Sequence, residues 1–166
     1  MNSYEYPEVF IEGGGEEPYI NVVDEHYFLS KKVVSEKFYG HVIYEDVVEK
    51  ALNIEELITT RSIVVVPRLS LNKDLEGIFI PKGTPICIDE VIGRAAIIYV
   101  SEGDVISVGD KLASIVTGKG DVRTYRTSCS GIVVLVVGYV WLKPEKYIVV
   151  TVGEEHARRI SIKGVA

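Results

Sequence analysis

Lys119 stands in the run Thr117-Gly118-Lys119-Gly120-Asp121, a primary amine between two glycines. Glycine on both sides, with aspartate following, marks a tight turn. The sequence therefore predicts an exposed hairpin tip between a strand Ala113 to Val116 and a strand Val122 to Thr127. An amine placed there is free of packing and, once deprotonated, is a nucleophile on a flexible stem. The Gly-Lys pair does not make a phosphate-binding loop. That motif needs glycine five residues earlier and Ser or Thr directly after, where this chain has Ala113 and Gly120. Next along, period-two alternation puts Arg123 and Tyr125 on one strand face and Arg126 on the other. Near the tip, Arg123 and Arg126 could contact an anion or a partner's carboxylates, against the plainer reading of a solvated face.

Other reactive residue types are scattered. His26, His41 and His156 form no HExxH, and Cys87 and Cys129 form no CxxC, so no metal site is predicted. Two cysteines are too few for a disulfide scaffold, and Cys129 reads as a small buried hydrophobe entering a strand. Ser128-Cys129-Ser130-Gly131 lacks the Gly-x-Ser-x-Gly elbow of a hydrolase nucleophile, and no acid-base partner can be assigned. No enzyme is expected. Trp141, Tyr139 and Tyr147, in or beside an apolar strand, read as core or interface residues.

The elements that position these residues are mostly strands. The chain has 26 Val and 19 Ile against 9 Leu and 6 Ala, and β-branched side chains suit a pleated surface. From Glu45 to Ile58, apolar residues recur at three- and four-residue spacing, which predicts one helix, with Asn53 and Glu56 able to re-cap it midway. Short strands are expected at Glu8 to Ile11 and Tyr19 to Val23, joined by a flexible Gly13-Gly14-Gly15 turn, and a buried strand at Ser62 to Val66, closed by Pro67. Residues 1–84 thus read as a small α+β unit. Residues 85–152 read as short strands punctuated by glycine, a sandwich or flattened β barrel, with 153–166 as a C-terminal extension carrying a hint of helical spacing. A weak internal repeat runs through the second half: a strand from Gly93 to Val100 and another through Leu112 to Val116, then a strand from Gly131 to Val137 and another from Tyr147 to Val152. Two such copies predict halves related by a pseudo-twofold axis.

Charge and length set the remaining bounds. The 166 residues carry a formal charge of −6. Divided at residue 85, the chain is −7 before and +1 after. No Lys/Arg-rich run is present, which argues against a nucleic-acid partner. The longest uncharged stretch, Gly131 to Leu142, is shorter than the ~20 apolar residues of a membrane-spanning helix. Met1-Asn2-Ser3-Tyr4-Glu5 has no basic or apolar signal region, so a cytoplasmic protein is expected. The absence of Gln, with only four Asn, points to a heat-adapted source.

One phrase carries a resemblance. Val100-Ser101-Glu102-Gly103-Asp104-Val105-Ile106-Ser107-Val108-Gly109-Asp110-Lys111-Leu112, with Gly131-Ile132-Val133 beyond it, resembles the biotinyl/lipoyl attachment domain. Gly103 and Gly109 can supply the positive φ that its tight turns need. The resemblance covers roughly residues 85 to 152 and implies a barrel-sandwich hybrid. It also implies that Lys119, ten residues past Gly109 at the tip flanked by Gly118 and Gly120, is where a carrier's biotin or lipoate would be attached. Biotin carriers put methionine on both sides of that lysine, and lipoyl carriers put Asp before and Ala after; this chain has glycine on both sides. The whole chain also looks like an archaeal family of uncharacterised proteins with this domain. The expected role is therefore a binding or assembly module with a protein partner or self-association and no cofactor, with a covalent carrier at Lys119 as the alternative.

Overall fold

A computed structural model describes residues 7–68 and 73–164. The opening residues Met1 to Glu5 lie outside that range. The chain divides into two compact units, Met1–Thr84 with Glu155–Ala166, and Pro85–Glu154.

The first unit begins with strands β1 (Glu8–Glu12), β2 (Glu16–Val23), β3 (His26–Ser30) and β4 (Lys37–Val42). A 3-10 turn at Tyr44–Asp46 leads into helix α1 (Val47–Ala51), followed by the short pair β5 (Leu52–Asn53) and β6 (Ile58–Thr59). Strands β7 (Ile63–Val66) and β8 (Leu75–Ile80) complete this stretch. The expected helix over Glu45 to Ile58 is thus cut to five residues. The backbone turns extended at Leu52, and the Asn53 side-chain oxygen accepts a hydrogen bond from the Glu56 N–H at 3.0 Å, a local bond that competes with helix. Leu57, at φ +56, is left-handed and exposed, which takes it off the apolar stripe that the spacing predicts.

The second unit holds β9 (Cys87–Gly93), β10 (Ala95–Ile98), β11 (Val105–Ile106), β12 (Lys111–Val116), β13 (Val122–Arg126), β14 (Gly131–Tyr139) and β15 (Glu145–Val152). The chain then returns to the first unit as β16 (Arg158–Lys163), so the last residues form a strand where the sequence hinted at helix.

Seven strands of the first unit close into a barrel in the order β1-β4-β2-β3-β16-β8-β7. Residues directly opposite one another share a face. Phe10 opposes Val64, which opposes Phe79, and Tyr39 opposes Ile20, which opposes Leu29. With Tyr27, Val66, Leu75, Ile160 and Ile162, these residues make one apolar cluster.

In the second unit a three-stranded sheet, β10-β12-β13, and a four-stranded sheet, β11-β14-β15-β9, share a core. Val91, Val133 and Val149 come from one sheet and Leu112 and Ala113 from the other. Each copy of the internal repeat supplies one antiparallel pair. β10 runs against β12 in the first sheet, and β14 runs against β15 in the second.

Candidate functional site

The residues of the repeated phrase build one turn twice. Gly103 and Gly109 have φ of +95° and +94°, a region that favours glycine. The Asp after each caps its turn: Asp104 Oδ2 accepts from the Ser101 N–H at 2.9 Å, and Asp110 Oδ2 from the Ser107 N–H at 2.8 Å. The first turn is bonded to Val133 through the Gly103 N–H and the Asp104 carbonyl, and the second to Thr127 through the Gly109 N–H and the Asp110 carbonyl. Arg126 is part of this frame, because its Nη1 donates to the Gly109 carbonyl at 3.0 Å. Its charge braces a turn.

Between β12 and β13, the Thr117 N–H donates to the Asp121 carbonyl at 2.8 Å and the Gly120 N–H to the Thr117 carbonyl at 2.9 Å, closing a tight tip. Gly118, Lys119 and Gly120 are exposed on it, and Lys119 makes no ion pair among the described residues. Arg123 is exposed on β13 opposite Ile115.

An open groove of about 680 Å³ lies beside this tip. Three segments form it: the corner Ile92-Gly93-Arg94, the end of the hairpin at Ile115, Thr117 and Gly118, and the loop residues Lys143 and Pro144. The corner packs closely enough that a Cβ on Gly93 would stand 2.3 Å from Ile115 Cγ2, and the Arg94 N–H donates to the Val116 carbonyl at 2.9 Å. The β14–β15 loop that carries Lys143 also exposes Val140, Trp141 and Leu142, with Trp141 61% exposed and edge-on to Tyr139 at 5.5 Å. Trp141 is therefore a surface residue and no part of the core. Tyr147, by contrast, packs half-buried against it. Arg94 and Lys143 are exposed and line the groove with the apolar Ile92, Ile115 and Pro144, and the exposed Lys119 follows Gly118 of its lining in the chain.

Behind the hairpin sits a group that spacing did not reveal. Asp89 is 1% exposed, and its carboxylate accepts from Thr127 Oγ1 at 2.6 Å, Tyr125 Oη at 3.1 Å, the Ser128 N–H at 3.3 Å and Ser128 Oγ at 3.4 Å. Burial first, and then the Asp89 charge, push the Tyr125 phenol up to about 12, so it remains a donor. Cys87 and Cys129 are joined in a disulfide with Cα atoms 5.8 Å apart. This corrects the reading of Cys129 as a lone hydrophobe: it is buried, but as half of a crosslink that ties the first residue of β9 to the segment before β14. Among the described residues no His, Cys, Asp and Glu group gathers to hold a metal ion. Among the described residues no helix is long and apolar enough to cross a membrane.

No curated protein matches this chain. The family described as "Uncharacterized protein conserved in archaea (DUF2118)" matches residues 4–154. That span takes in the whole second unit with its twin turns, hairpin and groove, together with β1 to β8 of the first, and the chain belongs to this family.

Proposed function

We propose that the protein is a non-catalytic binding or assembly module in which a biotinyl/lipoyl-type scaffold, residues 85–152, works through its surface and carries no cofactor. The observation that carries this reading is the apolar set Val140, Trp141 and Leu142, exposed on the loop that also lines the groove beside the Lys119 tip. An exposed indole flanked by aliphatic side chains is the composition of an interface anchor. The cations at Arg94, Lys119 and Lys143 suit a protein partner that presents an apolar segment with acidic flanks.

The test is capture from host lysate, with light scattering for self-association, on wild-type protein and a Trp141→Ser variant. A partner or self-association lost in the variant supports the reading. A strictly monomeric wild type that captures no partner, or a partner held equally by both proteins, overturns it. The second reading, a covalent biotinyl or lipoyl carrier, rests on Lys119 alone at an exposed tip without an ion pair among the described residues. It requires a modified Lys119 in protein from the native host.

A further inference from the structure

We propose that the first unit has a binding site of its own, for a small dianion of the phosphate-monoester type with an apolar body, in the cleft where β16 joins β3. All other pairings of the barrel are antiparallel and span three to five register pairs. The β3–β16 seam is parallel and has two, Ile162 with Tyr27 and Lys163 with Phe28. The seam is short because β3 starts directly after a tight turn at Asp24 and Glu25, both at positive φ, and β16 ends at Lys163; among the described residues, Arg158–Ile160 pair with β8 on one side and have no strand on the β3 side. A cleft of about 960 Å³ opens there.

Its chemistry is uneven in a way that the unit's composition does not predict. The first unit is acidic, yet Lys37, Arg158 and Lys163 all line this cleft. None of the three is within ion-pair distance of a carboxylate among the described residues, although Asp24 and Glu25 lie on the same rim. Arg158 is held in place by neutral groups: its guanidinium lies over the Phe79 ring at 5.2 Å, and Nη2 donates to Tyr27 Oη at 2.8 Å. A fixed guanidinium with unused donors beside two lysines suits an anion of more than one charge, since it can donate in parallel to two oxygens. Val22 and Ile160 give the apolar part of a ligand a wall.

A second observation lies deeper in the barrel. The Tyr39 hydroxyl is fully buried without a hydrogen bond of ordinary geometry, and the Glu12 carboxylate is the charge that acts on it most strongly. Tyr27 and Arg158, the two residues that meet at the cleft wall, also act on it, after Glu12. Burial is the main reason that the phenol stays protonated.

The experiment is calorimetric titration of the full chain with phenyl phosphate, inorganic phosphate and the neutral benzyl alcohol. Phenyl phosphate is expected to bind saturably and more tightly than inorganic phosphate, and benzyl alcohol not at all. Arg158→Gln and Lys37→Ala are each expected to weaken binding at least tenfold, with Lys119→Ala unchanged. Circular dichroism of each variant shows whether the barrel is intact. If Arg158→Gln unfolds, the exposed Lys163→Ala carries the same expectation. No saturable binding by phenyl phosphate, or equal binding by wild type and folded cleft variants, overturns the proposal. Loss of binding in Lys119→Ala overturns it as well, because the anion would then sit on the second unit.

Discussion

Asp89 shows how a single residue can hold the second unit together. Its carboxylate gathers donors from Tyr125, Thr127 and Ser128, which precede the disulfide-bonded Cys129. Asp89→Ala would leave buried donors without an acceptor, and a destabilisation of about 3 kcal/mol is expected in denaturant unfolding. An effect below about 1 kcal/mol would show that water replaces the carboxylate. Tyr125 adds a dependence on pH. Its folded pKa is raised from 10.0 to about 12, so its contribution is complete below pH 10 and is lost as pH rises toward 12. Tyr125→Phe should make the fall in stability over that interval shallower, as followed by unfolding at pH 9, 10 and 11. The residue scale was only partly legible in the sequence. Lys119 could be placed because Gly and Asp mark a turn locally. The cradle of Asp89 could not, since it depends on residues 36 to 39 positions away.

At the scale of elements, the twin turns separate backbone strain from packing. A Cβ on Gly109 meets nothing within 4 Å, so Gly109→Ala probes only the cost of positive φ at +94°. The expected loss is about 1–2 kcal/mol, read from the unfolding midpoint, and no change would mean that the turn relaxes. The disulfide links residues 42 apart and so closes a long loop. Reduction, or Cys129→Ser, is expected to remove about 4 kcal/mol from the second unit on the chain-entropy view. Melting with and without reductant checks this, and identical curves would contradict it. Short strands were legible wherever β-branched runs end at glycine or proline, as in β7 and β14. The helix was not, because the apolar stripe from Val47 to Ile58 is equally served by one helical turn and a short strand pair once Asn53 bonds the Glu56 N–H. Nor was β16, whose place in the barrel is set by strands more than 75 residues earlier.

For the whole molecule, the acidic bias that the sequence assigns to the first half belongs to a closed barrel, with Lys37, Arg158 and Lys163 lining one cleft. The second unit pairs an exposed hairpin tip with an exposed indole, and Lys119 keeps glycine on both sides. The most direct measurement on that combination is the intact mass of the protein purified from its native host. If the scaffold serves as a surface for a partner, the mass is that of the unmodified polypeptide with its disulfide. A biotinyl or lipoyl increment that fragmentation maps to Lys119 would contradict this and make the protein a carrier.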